Sequence, residues 1–340
     1  MNAVKGPRAV AVWLMVCAAM VLGMVVVGGA TRLTHSGLSI VEWQPILGTL
    51  PPLSEQDWLA TFDKYKQTPE YKLVNVGMTL DAFKGIFWWE YFHRLLGRTI
   101  GIVFLLPLLV FWRRGMITRA LFGVLLGIFV LGGLQGAMGW YMVKSGLVDN
   151  PAVSPFRLTA HLLLAFAIFA AMWWTALSLW HPRTDPAVLR PLRRHAWLVT
   201  GVVAYMVTTG GFVAGTHAGL SYNTFPLMGG HLVPPEILLL QPWWHNVFYN
   251  VATVQFDHRL GAWALAVIVP WLGWRLNRHS RDARTQRAVA ILFGVLCVQV
   301  TLGITTLLMA VPVSVAVLHQ GGAVLLMAAA LNLNHALRAR

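Results

Sequence analysis

The sequence predicts an all-α integral membrane protein, with eight transmembrane helices arranged as two pseudo-twofold-related four-helix bundles. Three observations carry that expectation. Of 340 residues, 57% are hydrophobic and only 11% charged, with a mean hydropathy of +0.63. Soluble domains carry about 25% charge. Eight apolar runs approach the roughly 20 residues a helix needs to cross hydrocarbon. The two halves of the chain also repeat one another. The same composition excludes a disordered chain or a disulfide-stapled secreted scaffold. Cys17 and Cys297 both fall inside apolar runs, so no disulfide or cysteine-based metal site is expected.

The spans follow in order. The first, about Ala9–Ala30, follows Lys5 and Arg8. It is longer than the 7–15 apolar residues of a signal peptide and ends in no cleavage site. The second lies near Ile86–Trp112, the third between Arg119 and Lys144, the fourth between Arg157 and Arg183. Roughly Ala196–Gly215, Val251–Trp274, Ala288–Val311 and Val313–Leu337 complete the eight.

Charge sets the orientation. The net charge is +14, and 16 of the 26 Lys+Arg lie at the termini and after spans two, four and six. They include Arg183, Arg190, Arg193 and Arg194 in one loop, and Arg275, Arg278, Arg281, Arg284 and Arg287 in another. The stretch 213–257 has none. By the positive-inside rule both termini are cytoplasmic. The basic balance is thus a topology signal and no nucleic-acid partner is expected. The long outer loop from Thr31 to about Gly85 carries Trp43 and Trp58, which suggests an ordered segment lying at the interface.

The repeat is explicit. Gly28-Gly29-Ala30-Thr31-Arg32-Leu33-Thr34-His35-Ser36-Gly37-Leu38-Ser39 aligns with residues 210–221, with seven of twelve positions identical at an offset of 182. Tyr91-Phe92-His93-Arg94-Leu95 matches Phe256-Asp257-His258-Arg259-Leu260 at offset 165. Gln135 and Gly139 match Gln299 and Gly303 at offset 164, and His161 matches His319 at offset 158. The falling offset places the extra residues in the outer loops of the first half. Two units follow, 1–182 and 183–340. An even number of spans per unit gives both the same orientation, related by an axis along the membrane normal.

Histidine inside a span is costly without a partner. His93, His161, His258 and His319 fall on spans two, four, six and eight, each near the outer end. Two imidazoles from facing helices can ligate one haem iron axially. The alternative is four hydrogen-bonded core residues; matched depth and repeat position favour the ligand set. Too few ligands accompany each pair for a closed zinc site. Arg94 and Arg259 follow two of the histidines and Arg98 lies one turn on; propionate contact and interfacial snorkelling both remain open for them. His35 and His217 lie in a Thr-His-x-Gly-Leu-Ser context that reads as a turn, with a place at the edge of a pocket as the alternative. Gln135 and Gln299 read as interhelical hydrogen-bonding residues, with substrate contact as the alternative. His181, His195, His279 and His335 read as solvated on the basic side, and His231 and His245 have no assigned role. The halves differ at Glu90, three residues before His93, whose counterpart is Gln255. A carboxylate there can move a proton and an amide cannot, so Glu90 is the candidate catalytic residue; a solvated interfacial acid is the alternative.

These residues resemble the haem A synthase family over nearly the whole chain. The most specific parts are residues 28–43, the run Phe87-Trp88-Trp89-Glu90-Tyr91-Phe92-His93-Arg94-Leu95-Leu96-Gly97-Arg98, and Phe256-Asp257-His258-Arg259-Leu260. The long loop around Pro51–Lys84 resembles the proteobacterial and mitochondrial branch; the outer-loop cysteine pair of the Gram-positive branch is absent. The resemblance implies haem O as substrate on His93 and His161, with Glu90 beside them, and a haem b cofactor on His258 and His319. It implies a four-electron oxidation of the C8 methyl of haem O to the formyl of haem A, in a bacterial inner membrane with the haem sites towards the periplasm. Expected partners are haem O, haem A, membrane lipid, an unidentified electron donor, haem O synthase, cytochrome oxidase assembly factors and further copies of the chain. A di-haem b-type electron-transfer protein and a parallel-repeat transporter are the rival readings.

Overall fold

A computed structural model describes residues 6–43, 47–147, 151–181, 190–280 and 282–338. Lys5, Arg183, Arg281 and Arg340 of the basic set, and the 182/183 repeat boundary, lie outside the described residues. Among the described residues the chain is all helical. Only an isolated bridge between Met228 and His231 interrupts that character.

Eight helices have 24 or more residues: α1 (Pro7–Leu33), α4 (Leu80–Arg113), α5 (Arg119–Lys144), α6 (Pro155–Trp180), α7 (Arg190–Gly215), α9 (Val251–His279), α10 (Ala283–Leu308) and α11 (Val313–Ala336). Short helices α2 (Glu55–Tyr65) and α3 (Pro69–Leu73) precede α4, and α8 (His245–Tyr249) precedes α9. Seven of the eight are long and apolar enough to cross a membrane. α9 falls outside that set because it carries Asp257, His258 and Arg259 near one end and Arg275, Arg278 and His279 near the other.

Polar caps place several helix starts. Thr79 Oγ1 accepts from Ala82 N at 3.3 Å, so α4 begins six residues before the expected Ile86. Thr118, Asn250 and Asp282 cap α5, α9 and α10 in the same way. The expected end of span seven at Val311 is corrected. Ala310 and Val311 take φ values of 53° and 63°, a left-handed conformation that a helix cannot continue, and α10 stops at Leu308.

α1 packs on α4 and α6, and α5 lies against α4 and α6; likewise α7 packs on α9 and α11, and α10 lies against α9 and α11. The two groups of four meet through α1 with α11, α6 with α7, and α6 with α11. Exchanging one group for the other leaves this pattern unchanged. Val10, Leu14, Cys17, Val21 and Val25 form a buried stripe along α1 at helical spacing. α11 is buried from Leu326 to Leu331 with no polar face, as befits a helix at the centre of a membrane protein. α5 buries only Leu125 and Ile128 and lies at the periphery.

The long outer loop is ordered around aromatic rings. Phe62 and Tyr65 of α2 stack 5.0 and 5.1 Å from Phe83 of α4, and Trp58 meets Phe87 at 4.9 Å. This cluster, with Tyr91, docks the loop onto the outer end of α4. Trp43 instead contacts Trp140 of α5, at 5.5 Å.

Candidate functional site

Each of the four span histidines rests against a glycine of a neighbouring helix. A methyl group added at Gly28 would meet His93 Cε1 at 2.8 Å, at Gly139 His161 Cε1 at 3.0 Å, at Gly210 His258 Cε1 at 3.2 Å, and at Gly303 His319 Cε1 at 2.9 Å. The glycines therefore make room for the imidazoles, and they do so at matching positions of the two halves. The next residue of each Gly-Gly pair serves the junction between the groups. Gly29 makes way for Gln320 of α11, which donates to Val25 O at 3.0 Å, and Gly211 makes way for Thr159 of α6.

The His258 and His319 rings lie 6.4 Å apart, centre to centre, at 81°. A metal–imidazole bond of about 2.1 Å on each side puts axial ring centres roughly 6.4 Å apart. The pair thus fits one haem iron between them. Among the described residues, Nδ1 of His93, His161 and His319 has no hydrogen-bond partner. His258 differs, since its Nδ1 lies 2.9 Å from Thr209 Oγ1, which also reaches Met206 O at 3.2 Å. A proton on His258 Nδ1, with Thr209 relaying to the carbonyl, leaves Nε2 free to ligate. Gln135 donates to His161 O at 3.1 Å and Gln299 to His319 O at 2.9 Å, the interhelical role read from their repeat positions. Among the described residues, no group of three or more His, Cys, Asp or Glu side chains is placed to hold a bare metal ion.

Glu90 is 3% exposed, which overturns the solvated-acid alternative. Its Oε2 accepts from Ser39 N and Ser39 Oγ, both at 2.7 Å, and from Ile40 N at 2.8 Å. Its Oε1 accepts from Arg94 Nε at 3.0 Å and Nη2 at 2.7 Å. Arg94 also donates to Ile40 O and Glu42 O. A carboxylate offers about four lone-pair sites, so five donors saturate it. In the second half Gln255 donates to Ala218 O at 2.7 Å and accepts from Arg259 at 2.8 Å. Arg259 in turn holds Tyr222 O at 2.8 Å. Both pairs lock the segment that follows the first helix of their half. The guanidinium donors of Arg94 and Arg259 are thus shared between the Glu90 or Gln255 side chain and loop carbonyls.

His35 and His217 adopt φ of 51° and 56°, so the turn rests on the histidines themselves rather than on the glycines that follow. The two lie near one another at the junction of the halves, where Arg32 donates to Ala214 O. Burial first, then Arg32 and His35, lowers the His217 pKa from its ordinary value. Arg98 lies one turn beyond Arg94 on α4. His231 is exposed in the Met228 bridge, and His245 opens α8 beside Tyr249.

The solvated reading of the basic-side histidines fails for His335. It is 1% exposed, with Arg284 Nη2 2.6 Å from Nδ1 and Trp174 against its ring. A guanidinium donor and an aromatic wall replace water there. His181 and His195 are half-buried, His195 against Trp271, and His279 is exposed. Sequence reasoning missed Ser39 and Ile40 as partners of Glu90, because their two backbone amides and the Ser39 hydroxyl come from a loop distant in sequence. It also missed Thr209, for which a signal existed: the repeat counterpart is Val27.

A family model described as COX15-CtaA, cytochrome oxidase assembly protein, matches residues 11–331. A protein named Heme A synthase from Nitrosospira multiformis is 58% identical over 336 residues, 97% of this chain and 94% of its own. Heme A synthase from Nitrosomonas eutropha is 55% identical over 326 residues, 95% of this chain and 92% of its own. Heme A synthase from Agrobacterium fabrum is 48% identical over 323 residues, 95% and 88% of the two chains. With paired histidines seated alike in both halves and likeness along nearly its whole length, the chain belongs to the COX15-CtaA family of cytochrome oxidase assembly proteins.

Proposed function

We propose that this chain is a membrane-bound oxidoreductase that converts haem O to haem A by oxidising the C8 methyl to a formyl group. The observation that carries the reading is the set of four glycine-seated histidines in a chain so similar to proteins named Heme A synthase. In this arrangement the repeats 1–182 and 183–340 form two four-helix bundles about a pseudo-twofold axis, which the exchange-invariant helix packing supports. α9 is the eighth crossing. Both termini face the cytoplasm of a bacterial inner membrane, and the histidines lie towards the periplasm.

His258 and His319 hold haem b, which supplies one-electron redox chemistry when bound. His93 and His161 hold the iron of the substrate, haem O. Thr209 fixes the orientation of the His258 ring. Glu90 and Arg94 pin residues 39–42 over the substrate side, so that Glu90 acts as a positioning residue for the wall of that site. Arg98 is the guanidinium assigned to a substrate propionate, and His35 and His217 line the outer junction between the two sites.

The test is haem extraction from a host that makes haem O but no haem A. Expression of the wild-type chain should yield haem A, and His93→Ala or His161→Ala should leave haem O unconverted. Haem O alone from cells that express and insert the wild-type chain would overturn the reading.

A further inference from the structure

Beside His258 lies a cavity of about 190 Å³ between α7, α8 and α9. It is well below the roughly 300–1,000 Å³ of pockets that take whole drug-sized ligands, so it admits one ring and not a macrocycle. Phe212 and Phe248, 5.3 Å apart, supply aromatic walls. Asp257, Tyr205, Thr208 and Thr209 supply the polar groups. Tyr205 is 44% exposed and Val247 38%, so the rim opens to the surroundings of the helix bundle. Asp257 has no ion-pair partner among the described residues. Thr209 joins the cavity wall directly to the ring of His258.

The polar lining exists in only one half. At the matching offsets, Tyr205 corresponds to Gly23, Thr208 to Val26, Thr209 to Val27 and Asp257 to Phe92. The repeat that holds the substrate is apolar at each of those four positions. The polar groups occur only beside the site assigned to the redox cofactor.

We infer that this cavity binds the ring of a lipid-soluble hydroquinone, which donates electrons to the haem held by His258 and His319. The inference rests on the haem b assignment above. A flat ring suits the two phenyl walls, its hydroxyl groups suit Asp257 and Thr208, and an apolar tail leaves through the exposed rim. Oxidation to the quinone breaks two O–H bonds and releases two electrons and two protons. The electrons would pass one at a time through the haem that His258 and His319 would hold, with dioxygen as the oxidant: one oxygen atom enters the methyl group and the other leaves as water with the two electrons and two protons. The two protons of the hydroquinone are released at the exposed rim beside Tyr205 and Val247.

The test uses purified full-length protein and decylubiquinone, followed by equilibrium dialysis, with the haem spectrum recorded on each sample. Wild type should bind the quinone saturably. Asp257→Asn and Phe248→Ala should each weaken binding at least tenfold while the haem spectrum is kept, and decylubiquinol should reduce the wild-type haem anaerobically faster than that of Asp257→Asn. No saturable binding by wild type, or equal binding by all three proteins, would overturn the inference. Dialysis does not depend on haem, so a preparation that binds quinone but carries no haem overturns the haem assignment instead, and with it the electron-transfer step.

Discussion

Glu90 is a charge kept inside an apolar bundle by five donors, three of them from Ser39 and Ile40. Glu90→Gln retains the shape but presents an amide NH2 to groups that are themselves donors. Hydrogen bonds to a charged group are worth about 1.5–3 kcal/mol, so the variant should be destabilised by about that amount and make little haem A. If Glu90 acts through Arg94, the double variant with Arg94→Gln should lose scarcely more activity than Glu90→Gln alone. Additive losses in that cycle would contradict a positioning role. Gly303 sets a second test. A methyl group there would lie 2.9 Å from His319 Cε1, whereas nothing lies within 4 Å of one at Gly294 on the same helix. Gly303→Ala should therefore disturb the low-spin haem spectrum, at an overpacking cost of about 1–3 kcal/mol, and Gly294→Ala should leave it unchanged. The histidine pairs and the Glu90/Gln255 difference were legible in the sequence because the repeat lines them up. The use of Glu90 was only half legible, because Arg94 lies four residues on along the same helix whereas Ser39 and Ile40 come in from a loop about 50 positions away.

Among the elements, the outer loop between α1 and α4 carries the clearest titration. Glu70 of α3 is buried, and its carboxyl is pushed up to about 7 by burial and by the charge of Glu90, against a hydrogen bond from Tyr65 that lowers it. An acid whose folded pKa is raised stabilises the fold in its protonated form. That contribution is complete below about 4.5 and fades as pH rises through about 7. Thermal stability in detergent should fall across this window, and Glu70→Gln should flatten the fall; an unchanged slope would show that another group titrates. The α2–α3 order was only partly legible: Trp58 hinted at it, but the ring cluster pairs Phe62 and Tyr65 with Phe83 across distant sequence. Helix ends followed the same rule. Thr79 is a local cap that could be read, whereas the stop of α10 rests on the left-handed backbone of Ala310 and Val311, to which apolar residues give no clue.

At the scale of the molecule, the two halves repeat one another in sequence and in helix packing. The Gly-Gly pairs of α1 and α7 do two jobs in each half, seating a histidine of the same bundle and admitting a side chain of the other. The repeat was visible in the sequence, and the helix pairing follows it. Beside the paired histidines the halves differ at Glu90 against Gln255, Thr209 against Val27 and Asp257 against Phe92. The proposed function turns on His258 and His319 together ligating one haem. Electron paramagnetic resonance of the purified protein, compared with His258→Ala and His319→Ala, tests it most directly. Each variant should lose the low-spin signal of that haem, or convert it to high spin, while still inserting in the membrane. An unchanged low-spin signal in both variants would contradict the claim.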